Sequence, residues 1–371
     1  MGRSVMKRFV LIGSRKLGTS IDLVNRSIDR RYKVTVVVDP REDFSGVFPE
    51  QVELVQILPI FDDVFSWFSR RFTITDEMVR VATAYGPYAH IAAKICEAFA
   101  LPGPKPQTLE QMFTKPDQRK FLSENNFPTV RFTAIDSATR QRLGNEVQHL
   151  SFPVVVKPIQ GTGAFGVQLC SDMVEIKSYF DQAEESSEFI IEEFISGEEY
   201  CVELFDGRFV GALRKLRLDY GKFAELGYTS ELSIDASTLK KLVETVEAVC
   251  QTSGLVWGPV HLDVIVAHGT TYVIDINPRL AGSYITEMVS DSYNFDIISA
   301  LLDKLESINV LIPDNIYPKS YCRFDFILKS DPSSWIVNHK GSFKDASFHV
   351  RYGPMVVPNR DRVSYVYIKQ A

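Results

Sequence analysis

Two aspartates and an asparagine in the C-terminal half of the sequence have the spacing of a metal site. The segment HLDVIVAHGTTYVIDINPR is typical of a hairpin, and a turn at His268–Thr270 would set Asp263 directly opposite Asp275. Because side chains alternate along a strand, Asn277 shares the face of Asp275. Like charges at facing positions destabilise a sheet, so the pair predicts a cation between them. The alternative, an exposed acidic hairpin, fits the apolar flanking residues less well.

The ligand atoms indicate which cation this hairpin would hold. Asp263, Asp275 and Asn277 offer only carboxylate and amide oxygens, which suit a hard ion such as Mg²⁺ that also takes phosphate oxygens. Arg279 follows two residues after Asn277, and its planar guanidinium suits a phosphate or a carboxylate. His261 lies on the same strand face as Asp263, and we expect a structural or supporting role for it. The hairpin therefore predicts one or two magnesium ions beside an anionic substrate.

A glycine-rich segment, VVVKPIQGTGAFGV, has the residue types of a phosphate-binding loop. Lys157 ends an apolar strand, and Gly161, Gly163 and Gly166 follow within nine residues. Glycines let a loop turn its backbone N–H groups toward an anion, and a lysine at the edge of the loop suits a phosphate. The alternative is a glycine-rich hairpin turn after a strand that ends in a charge. The segment alone supports both interpretations equally.

The segment IIEEFISGEEY contains a possible nucleotide contact between two acidic pairs. Its residues offer backbone donors and acceptors to a flat base and a carboxylate to a ribose hydroxyl. Taken alone, the segment is better explained as an acidic edge strand. The turn at Gly13–Ser20 also resembles a phosphate loop, but it lacks the lysine and the middle glycine of the known nucleotide motifs. We expect an ordinary turn between a strand and a helix there.

The elements that position these segments change in character along the chain. A strand at Arg8–Ser14, a helix at Leu17–Arg30 and a strand at Lys33–Asp39 predict an α/β unit with a parallel sheet. This pattern ends near LPGPKP, whose prolines and glycine indicate a boundary. Later strands mix with helices, including an amphipathic helix at Leu239–Gln251 with Gly254 as its C-terminal cap. The last 50 residues are strand-like.

The composition excludes several classes of protein. The 371 residues carry a net charge of −6, which argues against a nucleic-acid partner. No stretch approaches the roughly 20 apolar residues of a membrane-spanning helix, and we expect no membrane partner. Five scattered cysteines without a CxxC pair argue against a disulfide framework or a zinc site and favour a cytoplasmic location.

The motifs together resemble those of the ATP-grasp superfamily, and within it the carboxylate–amine (L-amino acid) ligases. The order is a lysine before a helix, a lysine-ended strand with a glycine loop, an EEFISGEE segment and an acid followed by a D-x-N-x-R hairpin. The resemblance covers nearly the whole chain. It implies an α/β domain at 1–106, followed by an α+β ATP-grasp fold whose two subdomains clasp ATP. These are a lid with a leading helix at 107–186 and a C-terminal subdomain at 187–371 that includes a strand-rich extension.

The resemblance also assigns the nucleotide site. It implies that Lys115 and Lys157 contact the ATP phosphates, and that the loop with Gly161, Gly163 and Gly166 closes over them. The adenine-binding residues implied are Glu192, Glu193, Phe194 and Ile195, with Glu193 and Ile195 acting through their backbone. Glu199 matches the carboxylate that binds the ribose.

The resemblance assigns the reacting groups to the hairpin and its surroundings. Asp263, Asp275 and Asn277 match the magnesium ligands, while Lys157 and Arg279 are the implied catalytic residues, Arg279 steadying the transferred phosphoryl group. The family usually has glutamate at the two aspartate positions, so the reach toward the metal is shorter here. The family loop often has serine at Ala164, and Ala281 replaces a glycine. The expected substrate contacts are Arg214, Lys215, Arg217, Arg279, Gly282 and Ser283.

The implied reaction joins a small-molecule carboxylate, typically of an amino acid, to an amine. ATP converts the carboxylate to an acyl phosphate, and attack by the amine gives an amide, ADP and phosphate. Two alternatives stay open at this point. In the first, the acceptor is a thiol on a carrier protein instead of an amine. In the second, the chain binds ATP without catalysis, which aspartate in place of glutamate at two metal positions would allow. The resemblance leaves a homodimer open as well.

Overall fold

The computed structural model describes residues 6–16, 18–72, 77–159, 166–184, 187–217, 223, 225–328, 348–354 and 362–370. Within this part, the strands form one parallel sheet and two antiparallel sheets. None of the helices in this part is long and apolar enough to cross a membrane. The five cysteines all lie in this part, where they are buried and not joined by disulfides.

The N-terminal sheet is parallel and has the strand order β3-β2-β1-β4. Its Val-rich strands are buried because helices cover them, as is usual for parallel sheets. The predicted α/β unit is confirmed, with boundaries that differ by a few residues. The elements are β1 (Met6–Ile12), α1 (Thr19–Asp29), β2 (Lys33–Val38), β3 (Glu53–Gln56), α2 (Phe61–Arg71), β4 (Glu77–Ala82), a 3-10 helix (Gly86–Tyr88) and α3 (Ala89–Ala98).

A small antiparallel sheet of order β5-β8-β6-β7 follows. It has its own hydrophobic cluster, which includes Ile135, Val156, Ile176 and Phe189. The elements from the linker through this sheet are α4 (Pro106–Glu110), α5 (Lys115–Glu124), β5 (Phe132–Ile135), α6 (Ser137–Arg140), α7 (Leu143–Glu146), β6 (Val154–Pro158), β7 (Gln168–Cys170), α8 (Met173–Gln182) and β8 (Phe189–Glu193).

The largest sheet is antiparallel and has the order β13-β12-β9-β10-β11-β14-β16-β15. Helix α9 begins earlier than its hydrophobic pattern suggests, because the Asp235 side chain caps it by accepting from the Thr238 N–H at 2.9 Å. Gly254 ends it with φ +76°, as predicted. The elements are β9 (Glu198–Phe205), β10 (Arg208–Arg217), β11 (Glu225–Thr229), α9 (Ala236–Ser253), β12 (Pro259–Ala267), β13 (Thr270–Asn277), α10 (Ile285–Tyr293), α11 (Ile297–Leu305), β14 (Cys322–Leu328), β15 (Phe348–Pro354) and β16 (Arg362–Gln370).

The N-terminal unit and the largest sheet share one hydrophobic core, which runs from Phe9 and Leu11 to Leu301 and Leu302. Polar contacts between α1 and α11 add to it. Arg26 pairs with Asp296, and the Arg30 guanidinium lies 2.6 Å from an Asp303 carboxylate oxygen. The small sheet has a hydrophobic cluster of its own, separate from this shared core.

Candidate active site

The β12–β13 hairpin sets Asp263 opposite Asp275, as the sequence predicts, but its turn and its strand register differ from the expected ones. The turn contains only His268 and Gly269, both with positive φ, and Thr270 already pairs with Ala267. The expected turn at His268–Thr270 is therefore one residue too long. An irregularity next to Asp263 makes up the difference, because β13 inserts one extra residue between Val273 and Asp275. The bulge restores the facing pair.

Asn277 and Arg279 extend the acidic end of β13 into one hydrogen-bonded chain. The Asn277 side-chain amide donates to an Asp275 carboxylate oxygen at 3.2 Å, and its oxygen accepts from Arg279 at 3.2 Å. Arg279 also donates to the Leu280 carbonyl at 2.7 Å. Burial lowers the pKa of Arg279, and the nearby Asp275 and Glu203 oppose this effect. The guanidinium is thus held in place beside the two aspartates.

The charge that faces Asp263 comes from a buried lysine on β10. Lys215 Nζ lies 2.7 Å from an Asp263 oxygen, 3.0 Å from Glu199 and 3.1 Å from Glu225. Burial opposes the charged form of Lys215, but the three carboxylates outweigh it and raise the pKa of the amine well above its ordinary value. Asp263 is thus neutralised on one side by a protein ammonium. The prediction that a metal must separate the two aspartates did not include this lysine.

His261 lies two residues before Asp263 on β12 and pairs with a fully buried glutamate. Its Nδ1 is 2.5 Å from Glu203 Oε1, and its Nε2 is 3.5 Å from Asp263. Burial disfavours the imidazolium, yet Glu203 and Asp263 raise the pKa of His261 to about 9. The two carboxylates thus favour the charged imidazole, and the structural or supporting role of His261 stays a prediction. Glu203, in the middle of β9, carries no sequence signal that distinguishes it from a surface strand residue.

The predicted nucleotide lysine Lys157 forms part of a second buried charge cluster. Its Nζ lies 2.6 Å from Glu192 Oε2, and Glu192 Oε1 lies 2.7 Å from Nε of Arg119. Burial lowers the pKa of Lys157, and the proximity of Arg119 and Lys115 acts in the same direction. The structure thus brings Lys115, Lys157 and Glu192 together. Arg119 was missed, although it lies four residues after Lys115 and so on the same face of α5.

The remaining predicted nucleotide residues are only partly described. Gly161 and Gly163 lie outside the described residues, whereas Gly166 has φ +67° and its carbonyl accepts from the Tyr179 hydroxyl at 2.6 Å. In the predicted adenine segment, the Glu193 N–H donates to the Arg131 carbonyl, and the Phe194 N–H donates to the Pro153 carbonyl. Their backbone is thus fixed by protein contacts. The adenine-binding role of Ile195 stays a prediction.

The predicted substrate residues do not form one group. Lys215 is buried among carboxylates, Arg217 pairs with Glu199, and Arg214 lies 3.5 Å from Glu198. These three residues lie on β10, which is a strand of the largest sheet. Gly282 and Ser283 lie on the other side of Arg279, where the Ser283 carbonyl accepts from the Thr19 N–H at 3.2 Å. Their contact with substrate stays a prediction.

Residues 150–287 match the model of the ATP-grasp domain family. This part of the chain is an ATP-grasp domain. This match includes the glycine-rich segment, the EEFISGEE segment and the β12–β13 hairpin, so the resemblance and the fold class expected from the sequence are confirmed.

Two curated proteins are similar in sequence to parts of this chain. The chain is 26% identical to the uncharacterized protein y4rH of Sinorhizobium fredii over 72% of its own length and 57% of the relative. It is 28% identical to dapdiamide A synthase of Enterobacter agglomerans over 41% of its own length and 39% of that protein. The chain thus spans about half the length of these curated relatives or less.

The whole fold resembles that of an L-amino acid ligase from Bacillus licheniformis. The TM-score is 0.77 at 20% sequence identity, covering 99% of this chain and 94% of the other. At this identity the likeness concerns the fold alone, and it covers the regions on both sides of the matched domain as well.

Proposed function

We propose that this chain is an ATP-dependent ligase that activates a carboxylate as an acyl phosphate and joins it to an amine. One observation carries the proposal. Glu199, Lys215, Asp263, Asp275 and Arg279 come from four strands and the loop after β13, yet they form one charged cluster on the largest sheet. Opposite charges in this order suit a polyphosphate with a metal ion. The ligases and synthases among the similar proteins support the same reaction.

The proposed reaction has two steps. A carboxylate oxygen attacks the γ-phosphorus of ATP, the bond to the bridging oxygen breaks, and ADP leaves with both electrons. The amine then attacks the acyl carbon, phosphate leaves, and the nitrogen loses a proton to give the amide. The protein acts mainly by positioning and by charge stabilisation, since phosphoryl transfer needs little covalent help. Arg279, fixed by Asn277, would face the charge that develops on the transferred group.

The chemistry of the hairpin residues fits Mg²⁺. Asp263, Asp275 and Asn277 offer oxygen ligands only, and magnesium typically binds one or two carboxylates together with substrate phosphates. Because Lys215 already faces one Asp263 oxygen at 2.7 Å, Asp275 is the better placed of the two carboxylates to bind the ion. A magnesium ion held there would neutralise the phosphate oxygens. Lys215, between Glu199 and Asp263, would add a fixed positive charge to the same end of the nucleotide.

The small sheet is proposed to act as a lid over ATP. Its hydrophobic cluster is separate from the core of the rest of the chain. The sheet carries Lys157, whereas the metal residues lie on the largest sheet. Closing one layer onto the other would exclude water from the acyl phosphate. Tyr179 would anchor the end of the glycine-rich loop during this motion, because its hydroxyl donates to the Gly166 carbonyl.

The experiment is a screen for ADP release with pairs of the twenty amino acids. We expect at least one pair to release ADP and phosphate in equal amounts, and Lys157→Met to weaken ATP binding by more than about 10-fold because it removes a charged phosphate contact. Lys177→Met is the control, since this lysine is exposed on α8. No release with any pair, or equal ATP affinity in Lys157→Met and the parent, would refute the proposal.

A further inference from the structure

Three neighbouring side chains of the largest sheet combine the ligand types of a transition-metal site. The Cys201 thiol, the His261 imidazole and an Asp263 carboxylate oxygen place their ligand atoms within 4.8 Å of one another. Sulfur and imidazole nitrogen are ligands that Zn²⁺ prefers, whereas Mg²⁺ prefers oxygen alone. The group therefore differs in kind from Asp275 and Asn277, which offer only oxygen to the proposed magnesium ion.

Strand pairing brings the three side chains together. Cys201 on β9 lies directly opposite Asp263 on β12, so both project from the same face of the sheet, and His261 shares that face. Cys201 Sγ is 3.8 Å from Asp263 Oδ1, and His261 Nε2 is 3.5 Å from the same oxygen. In a tetrahedral zinc site with bonds of about 2.0–2.3 Å, neighbouring ligand atoms lie about 3.3–3.8 Å apart. Both observed distances fit ligands of one shared ion.

Glu203 holds the histidine in the orientation that a metal ligand needs. Its Oε1 lies 2.5 Å from His261 Nδ1, and the glutamate is fully buried. A metal-binding histidine usually donates its other ring N–H to a carboxylate, which fixes the tautomer and the direction of the ring. The nitrogen left for an ion is Nε2, and this atom faces Asp263.

The charges around the three side chains are compatible with a divalent ion, although a lysine is close. Lys215 Nζ lies 2.7 Å from Asp263 Oδ1. Binding would release the thiol proton of Cys201 and the proton between His261 Nε2 and Asp263, so two positive charges leave as two enter. A carboxylate accepts from about four directions, so Asp263 can bind the ion and keep the ammonium. Its side chain is partly exposed, which gives the ion a path to the buried thiol.

We propose that Cys201, His261 and Asp263 bind a thiophilic divalent ion such as Zn²⁺, with Glu203 as the positioning residue behind the histidine. A water molecule would fill the fourth position, as it does in open zinc sites. This site does not depend on the proposed ligase reaction, because it takes a different ion and binds it without nucleotide. The spacing of the cysteines in the sequence argues against a zinc site, since the ligands come from two strands that only pairing brings together.

The first test titrates the full chain, freed of metal by a chelator, with Co²⁺. A bond between Co²⁺ and a thiolate gives a charge-transfer absorption band. We expect the parent to show this band, and Cys201→Ala and Cys201→Ser to lose it. Cys250→Ala is the matched control and should keep the band, because Cys250 is equally buried but lies on α9. No band in the parent, or the parental band in both Cys201 variants, would overturn the site.

The same titration tests the choice of ion. We expect Zn²⁺ to remove the band by displacing Co²⁺, and excess Mg²⁺ to leave it in place, since the site contains sulfur and nitrogen ligands. A band that Mg²⁺ removes as readily as Zn²⁺ does would overturn the assignment to a thiophilic ion.

The second test asks whether Glu203 acts through the histidine. We expect Glu203→Gln to raise the dissociation constant for Co²⁺ about 10- to 100-fold while the band keeps its position, because Cys201 still binds the ion. Glu203→Asp keeps the charge and should bind more tightly than Glu203→Gln. Glu244→Gln is the control, since this glutamate is exposed on α9. Lower stability with parental affinity for Co²⁺ in both Glu203 variants would show a merely structural role and overturn the positioning role.

The metal site and the ligase function fail in different ways. If no amino acid pair supports ADP release but Co²⁺ binds through Cys201, the metal site stands and the ligase function falls. If ADP release occurs and the parent shows no thiolate band with Co²⁺, the ligase function stands and the metal site falls.

Discussion

Arg119 Nε lies 2.7 Å from Glu192 Oε1, and both side chains are buried. Glu192 holds Lys157 with its other carboxylate oxygen, and the Arg119 guanidinium also donates to the carbonyl of Ile274, the extra residue of the β13 bulge. One guanidinium therefore joins the lid strands to the strand that carries Asp275. This link connects the proposed phosphate lysine to the proposed metal site through protein groups alone.

Replacing this arginine should damage both stability and nucleotide binding. Arg119→Met leaves a buried glutamate with a single partner, and breaking such a pair costs about 3–5 kcal/mol of unfolding free energy. We expect weaker ATP binding as well, because Glu192 then no longer holds Lys157 in place. Urea unfolding and titration with ATP measure the two effects. Lys120→Met is the control, since this neighbour is exposed. Parental stability in Arg119→Met would contradict the link.

The two facing aspartates should respond differently to loss of charge. In the protein without metal, Asp263→Asn should lower the unfolding free energy by about 1–3 kcal/mol, because the carboxylate pairs with Lys215. Burial raises the pKa of Asp263, but Lys215 and His261 outweigh this effect and hold the pKa well below its ordinary value. Asp275→Asn should leave stability unchanged or slightly higher. The sequence alone predicts relief of repulsion at both positions, because it does not place Lys215.

Turnover should be more sensitive to Asp275→Asn than to Asp263→Asn, the reverse of their effects on stability. Asp275→Asn should reduce magnesium-dependent turnover on the order of 100-fold, since it removes charge from the ion beside the phosphates. The loss in Asp263→Asn should be smaller. Melting temperature and turnover measured on the same samples separate structural from catalytic effects. Full magnesium-dependent turnover in Asp275→Asn would show that the hairpin is not the catalytic centre.

Lys215 and Arg214 are neighbours on β10 and should differ sharply. Lys215→Met leaves Glu199, Glu225 and Asp263 without their shared ammonium, so we expect a loss of about 3–5 kcal/mol in unfolding free energy. Arg214→Met removes a more exposed contact at 3.5 Å and should cost less than about 1 kcal/mol. Chemical denaturation of both variants compares them directly. Equal stability of the two variants would argue against the buried cluster.

The contact between α1 and α11 should weaken in acid. Burial opposes ionisation of Asp296, but the Ser299 N–H and Arg26 lower the pKa of this carboxyl group below its ordinary value. Its contribution to stability is therefore fully present above the unfolded value of about 3.9 and is lost as the pH falls below it. Asp296→Asn keeps a residue that caps helices well, so it removes mainly the partly exposed ion pair, worth less than about 1 kcal/mol.

Unfolding at pH 7 and pH 3 measures this effect. We expect the Asp296→Asn variant to be less stable than the parent at pH 7 and closer to it at pH 3. Arg26→Gln should show the same pattern. Because both changes remove the same ion pair, the double variant should be no less stable than either single variant. A difference between parent and Asp296→Asn that is constant over this range would contradict the assignment.

The sequence by itself predicted the resemblance to ATP-grasp proteins and the order of the motifs, because these depend on short segments. Strand alternation put Asp275 and Asn277 on one face, and the hairpin brought Asp263 opposite Asp275. That prediction was correct although the turn was one residue too long, since the bulge at Ile274 compensates. A local pattern can show which side chains share a strand face. It cannot show where one strand of a pair carries an extra residue, because the position of a bulge depends on the groups that pack against the strand.

Only the tertiary structure decided which charges meet. Lys215 reaches Asp263 because β10 and β12 both pair with β9. Arg119 reaches Glu192 and the bulge because α5 lies between two sheets. Each of these pairs joins residues far apart in the chain, so their energies depend on sheet order and burial. Residue spacing carries no information about either quantity.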